Sequence, residues 1–303
     1  MLKTKFGIEI EFTGITRDKA SKIVRAHFNG EVQKAGGYYD KYIVIAEDRR
    51  KWEIMSDASL QPQKKKDGII QNVNDGRYRV ELVSPILEYE KDIAQLQELI
   101  RKLRKGGAIT NATCGVHLHL DNKGHNARTI KNFINIIASK NDLLYKSLQI
   151  KQARMNYCKK IDQKLVDEIK TKKPKTLEQI KQIWYQGYYE SQSTHYHRSR
   201  YHFLNLHSFW HRNHTIELRG FNSELHAGKV RSYIVLALAL NNQALKQRFA
   251  ISTRSQDENE KFAMRTYLNR LGLIGDEFKN CREHLCKHLN GSAAWRFETR
   301  QGA

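Results

Sequence analysis

Apolar and polar side chains alternate from residue 4 to residue 13, with Phe6, Ile8, Ile10 and Phe12 on one side and Gly7, Glu9 and Glu11 on the other. This period of two predicts a strand. Residues 40–46 and 50–55 read as a hairpin-like pair, and residues 77–84 as a further strand stopped by Pro85. CGVHLHLD at 114–121 alternates again, and two more strands are expected at 201–209 and 214–221, joined by His211-Arg212-Asn213. Between them the period changes to helical. Ile93, Leu96, Leu99, Ile100 and Leu103 share a face within 88–105, a helix ended by Gly106-Gly107. Helical spacing returns at 127–150, 176–187, 226–249 and 258–290, whereas the polar, lysine-rich stretch from Asp57 to Asp75 reads as a loop.

Strands interrupted by long helices, without regular strand–helix alternation, predict an α+β fold. Its sheet is expected to be mostly antiparallel, flanked by helices and flooring a site covered by loops. From about 155 to 198 the composition shifts to Lys, Gln and Tyr, which marks an insertion or lid. A chain of 303 residues with 40% apolar content can bury a full core. The longest apolar run, Tyr233 to Leu240, is far short of the roughly 20 residues that span a bilayer, so no membrane partner is expected. Cys114, Cys158, Cys281 and Cys286 contain no C-x-x-C pair and read as reduced thiols, which together with the absence of a leader-like start implies a cytoplasmic protein. A net charge of +21 fits a polyanionic partner such as nucleic acid, a nucleotide or an acidic protein. It fits a solvated lysine-rich surface equally well.

The chemistry lies on the strands. Glu9 and Glu11 stand two apart, as do His117 and His119 (with Asp121 beyond) and Glu217 and Arg219, while Glu81 occupies the strand VELVSP. Side chains two apart on a strand share a face about 7 Å apart. Taken singly, these pairs are what an exposed strand face or a cross-strand ion pair would show. Taken together, carboxylates converging on one face would repel unless a cation neutralised them. Oxygen-rich ligation with an imidazole and no cysteine favours Mg²⁺ or Mn²⁺ over structural zinc. An arginine beside such a site suits phosphate. The histidines from His195 to His214 are irregularly spaced and read as packing or polar surface rather than a zinc site.

In order, the motifs GIEIEF at 7–12, Trp52 through Asp57-Ala58-Ser59-Leu60, VELVSP at 80–85, CGVHLHLD at 114–121, FLNLHSF around Asn205 and TIELRGF at 215–221 resemble the amidoligase family. That family is a branch of the glutamine synthetase and glutamate–cysteine ligase superfamily. The resemblance spans roughly 5–245 and leaves out 155–198 and the C-terminal helices. It implies a catalytic core of 1–154 and 199–250, a lid at 155–198 and a helical extension at 251–303, with the sheet forming a glutamine-synthetase-like active-site face. It further implies that Glu9, Glu11, Glu81, His117 and Glu217 hold Mg²⁺ or Mn²⁺ that clamp the phosphates of ATP. His119 and Arg219 would contact phosphate or an acyl phosphate, and Asp57 and Ser59 would belong to the catalytic set. Asn205, with Arg198 or Arg200, would face the nucleotide. The implied activity is ATP-dependent joining of a carboxylate to an amine through an acyl phosphate. The sequence names neither substrate, although the positive charge favours an acidic peptide or protein. Two other readings compete: a metal-dependent nuclease or phosphodiesterase, and a non-catalytic nucleic-acid-binding protein on a ligase-like fold. The aromatic and basic stretch 184–212 is the best support for the latter.

Overall fold

The structure is a computed structural model that describes residues 1–211, 214–254 and 258–294. The strands are β1 (Phe6–Phe12), β2 (Glu31–Gly36), β3 (Lys41–Ile45), β4 (Lys51–Met55), β5 (Gln63–Lys66), β6 (Ile69–Asn72), β7 (Val80–Val83), β8 (Gly115–Asp121), β9 (Leu204–Asn205) and β10 (Thr215–Asn222). The helices are α1 (Arg17–His27), α2 (Tyr89–Lys105), α3 (Ala127–Ser147), α4 (Gln163–Lys172), α5 (Leu177–Tyr185), α6 (His207–Trp210), α7 (Ala227–Lys246), α8 (Glu260–Arg270) and α9 (Lys279–Cys286). Eight strands form one sheet in the order β2-β3-β4-β7-β1-β8-β10-β9, and every neighbouring pair is antiparallel. The α+β expectation with a mostly antiparallel sheet therefore holds.

The alternation read along β1 separates the two faces of this sheet. Phe6, Ile8, Ile10 and Phe12 are buried with Leu82, Val116, Leu118 and Leu120 in one continuous core. Helices cover that side, and α7 lies deepest: from Ser232 to Asn241 every residue is buried, since α7 packs against α2, α3, α9 and β8. This accounts for the long apolar run at 233–240, which is a core helix with no polar face to show. No helix among the described residues is long and apolar enough to cross a membrane. All four cysteines are free and buried.

Several elements depart from the sequence reading. The segment 57–75, expected to be a loop, contains the two-stranded hairpin β5–β6. Both of its faces are exposed, so no buried side chains impose a period of two. The strand expected at 201–209 shrinks to β9 because the Asn205 side chain accepts the His207 N–H at 2.8 Å and turns the chain into the single-turn α6. Two elements lacked a recognisable pattern: β2 is a mostly exposed edge strand, and α1 buries only Arg17, Ala20, Ser21 and Val24. Cap chemistry fixes α1 instead, with Thr16 accepting the Lys19 N–H and Asp18 in the first turn. Within 155–198, α4 joins α5, and their Val166, Ile169, Ile180 and Ile183 enter the common core. Part of the joining segment at 211–213 and of the helical extension at 251–303 lies outside the described residues.

Candidate active site

The face opposite the helices carries the polar members of each strand, and antiparallel register aligns them in three rows. Asn205, Glu217, His119 and Gly7 form one row across β9, β10, β8 and β1. His117, Glu9, Val83 and Glu53 form the next, and Glu11, Glu81 and Met55 the third. Because directly paired residues share a face, i, i+2 spacing on three strands becomes a two-dimensional patch.

His117 is the hub. Its Nδ1 lies 2.9 Å from Glu9 and 3.8 Å from Glu217, and its Nε2 lies 3.7 Å from Glu11. Two donor triads result, Glu9–His117–Glu217 and Glu11–Glu81–His117, each with its atoms within 4.8 Å of one another. His119 stands beside them, with Nδ1 3.0 Å from Thr215 Oγ1 and Nε2 3.1 Å from Glu9. That Nε2 also lies 3.9 Å from Glu217, so His119 stands between two carboxylates. Arg219 donates to Glu217, and Asn205 donates to the other oxygen of the same carboxylate at 2.5 Å.

The electrostatics divide the patch in two. Burial alone would raise Glu217, but Arg219, His119 and His117 bring its carboxyl down to about 2. Burial likewise opposes Glu9, where His119 and His117 prevail and hold it well below the usual range. Burial lowers His117 to about 4, with Arg219 adding to the effect, so His117 is neutral and can serve as a ligand. His119 is raised, because Glu9 and Glu217 outweigh its burial. On the other half the balance reverses. Burial, then Asp57, pushes Glu11 up to about 8 despite Arg154 and Arg219. Burial, then Glu9, Glu11 and Asp57, raises Glu81 well above its ordinary value. The protein supplies too little positive charge around Glu11 and Glu81 to keep both ionised. A divalent cation fits there, bound through carboxylate oxygens and a neutral imidazole.

Glu9, Glu11, Glu81, His117, His119, Asn205, Glu217 and Arg219 thus come together. Asp57 stands close enough to act on Glu11 and Glu81, and its Oδ1 accepts the Ser59 N–H at 2.7 Å. Ser59 itself is exposed and serves that turn through its backbone. Arg198 does not join the patch: it pairs with Glu190 at 2.7 Å and is largely exposed. Arg200 lies over the rings of Tyr196 and Tyr201 at 5.2 and 5.9 Å.

Two features of the site escaped the sequence reading. Arg154, 2% exposed, donates to the backbone carbonyls of Arg219, at 3.0 Å, and of Phe221. It thereby fixes the irregularity in β10 that aims Arg219 at Glu217. The signal was Gly115 in the strand motif, where a Cβ would stand 2.2 Å from the Arg154 guanidinium. Gly220 has the same logic, since a Cβ there would collide with the Phe203 ring. The second feature is a strap. Tyr196, in the segment leading to edge strand β9, meets Tyr39, between β2 and β3 at the opposite edge, with the hydroxyls 2.7 Å apart. The segment before β9 therefore reaches the β2–β3 turn, and Asp57 and Arg200 both act on Tyr196. In the stretch 184–211, Trp184, Tyr185, His197 and His207 are buried, and His197 stacks on His207 at 5.2 Å. These rings pack the strap, while Tyr189 and Tyr196 remain exposed on it.

A family model described as "Putative amidoligase enzyme" matches residues 2–241 of the chain. No curated protein matches it.

Proposed function

The chain belongs to the amidoligase family, and from that premise we propose that it is an ATP- and Mg²⁺-dependent carboxylate–amine ligase working through an acyl phosphate on a glutamine-synthetase-like face. One observation carries the reading: Glu9, Glu11, Glu81 and Glu217 share one sheet face with His117 and His119, and the four carboxylates form two donor triads around His117. Mn²⁺ would serve the same donor set. Divalent ions, when bound by these residues, offset the charge of the nucleotide phosphates.

The remaining roles belong to the chain. The ATP γ-phosphoryl group passes to an oxygen of the substrate carboxylate, and ADP leaves. Negative charge spreads over the phosphoryl oxygens in this transfer. Arg219, held rigid by Glu217 below and by Arg154 behind its backbone, meets that charge without reorganising. His119, oriented by Thr215 and lying against Glu9 through its Nε2, adds positive charge beside the transferring group. The amine then attacks the acyl carbon, its proton is lost to a base, and phosphate departs. Asp57, at the end of the patch under the strap, is the group we assign as that base. To the strap that the Tyr39–Tyr196 contact ties down we assign the role of keeping water from the activated acyl group. We assign 1–154 and 199–250 as the catalytic core, 155–198 as an insertion whose α4 and α5 pack into the common core and whose last part serves as a lid, and 251–303 as a helical extension, in a protein working in the cytoplasm. The carboxylate and amine kinds of substrate follow from the family reading.

ADP release from ATP and Mg²⁺ tests the proposal, measured with and without a desalted cell extract and a pool of amines. Stimulated release is expected from the wild-type protein and none from Glu217→Gln, which stays folded. Full activity in that variant would overturn the assignment of the face.

A further inference from the structure

The hairpin β5–β6 plays no part in the site, yet it is rooted at the site's rim. Gln63 accepts the Gly14 N–H at 2.9 Å, and its own N–H donates to Thr13 Oγ1 at 2.7 Å, so the hairpin is stapled just beyond Glu11. Asn111 adds bonds to the Gln61 carbonyl at 2.8 Å and to the Gln63 side chain at 3.1 Å. Beyond this root the arm is exposed at Lys65, Lys66, Ile69 and Ile70, with Ile69 at 63% and Ile70 at 52%. Register pairs Lys66 with Ile69 on one face and Lys65 with Ile70 on the other, while Lys64 lies on the Ile69 side. Each face thus offers a cation beside an apolar side chain. A two-stranded hairpin without a covering layer is marginal in water, and its outer edges carry backbone groups free of sheet partners.

We propose that this arm is a docking strand for an acidic polypeptide substrate, which lies along it in extended form and delivers its reacting side chain to the Glu11–Glu81 end of the site. The lysines would pair with Asp and Glu side chains and the isoleucines with interspersed apolar ones, while an outer edge takes up the peptide backbone. The net charge of +21 favours the same kind of partner at longer range. A nucleic acid fits less well, because the arm has no aromatic ring or arginine on which a base could stack. The purpose of the docking rests on the ligase reading; the docking itself does not.

The test is fluorescence anisotropy of a labelled peptide of repeated Asp-Glu-Val-Glu units against the full-length protein, with ATP·Mg²⁺ binding measured in parallel. Replacing Lys64, Lys65 and Lys66 by Glu should weaken peptide binding by roughly tenfold or more and leave ATP·Mg²⁺ binding unchanged. Ile69→Ser with Ile70→Ser should weaken it several-fold at both low and high salt, since that contact is apolar. Undiminished peptide binding in both variants would overturn the proposal. So would tighter binding of a single-stranded oligonucleotide through the same lysines. Absence of ATP·Mg²⁺ binding from every protein would strike the ligase reading alone, and the peptide titration would still decide the role of the arm.

Discussion

Glu11 offers a quantitative handle on the site, because its carboxyl is pushed up to about 8 in the metal-free fold. In the unfolded chain a glutamate titrates near 4.3. Between these values the folded protein holds a proton that the unfolded chain has released, so stability falls as pH rises. The window from pH 6.5 to 8 suits the measurement. In the fold His117, lowered to about 4, stays neutral there and Glu217, at about 2, stays ionised, while the unfolded histidines that titrate at about 6.5 are common to the proteins compared. Integrating the linkage for Glu11 across that window gives a loss on the order of 1–2 kcal/mol, or roughly 2–5 °C in Tm for a chain of this size. The assay is thermal unfolding in EDTA at pH 6.5 and 8 for wild type and Glu11→Gln. Taking the difference between the two proteins cancels the titration of groups they share, such as His119. The wild-type Tm should drop by that extra margin, and the variant should be more stable at the higher pH. Mg²⁺ or Mn²⁺ should raise the wild-type Tm and flatten its slope, since the ion replaces the proton. Parallel pH dependences in the two proteins, untouched by divalent ions, would refute the reasoning.

Three other predictions follow from particular contacts. Gly115→Ala places a methyl against Arg154, which cannot retreat without releasing two carbonyls; a loss of about 1–3 kcal/mol in denaturant unfolding is expected, together with a fall in ADP release. Arg219→Lys should lower ADP release by roughly a hundredfold or more, because an ammonium cannot reproduce the guanidinium fork, whereas Arg198→Ala should leave it within about twofold because Glu190 already engages that side chain. Tyr196→Phe removes the strap's hydroxyl contact with Tyr39; Tm should stay within about 2 °C, while the ratio of ADP released to amide formed rises as water reaches the acyl phosphate.

How much of this could be read from the chain depended on whether burial left a period behind. β1, β8 and β10 set apolar side chains on one face and polar ones on the other, so spacing groups Glu9, Glu11, His117, His119 and Glu217 on one face, while their role as a site comes from the resemblance to the amidoligases. The order of strands in the sheet was not legible, yet it decides the site: Glu11 meets Glu81 only because β7 lies beside β1 across a long connection. The β5–β6 arm had no buried face and therefore no signal. Arg154 sits after α3, remote from every motif, and only the close approach at Gly115 ties it to the site. The Tyr39–Tyr196 strap joins residues 157 positions apart, a pairing that no local pattern encodes. Arg198 and Arg200 show the converse: proximity in sequence to the β9 motif suggested phosphate contact, while the structure gives Arg198 to Glu190 and lays Arg200 on tyrosine rings.

The central claim is that one sheet face holds divalent ions for the nucleotide, and Mn²⁺ binding followed by electron paramagnetic resonance, with and without ATP, tests it most directly. Tight Mn²⁺ binding that ATP strengthens is expected in the wild-type protein, weakened at least tenfold in Glu217→Gln and in Glu11→Gln with the fold intact. Mn²⁺ binding that is absent, or equal in all three proteins, would contradict the account.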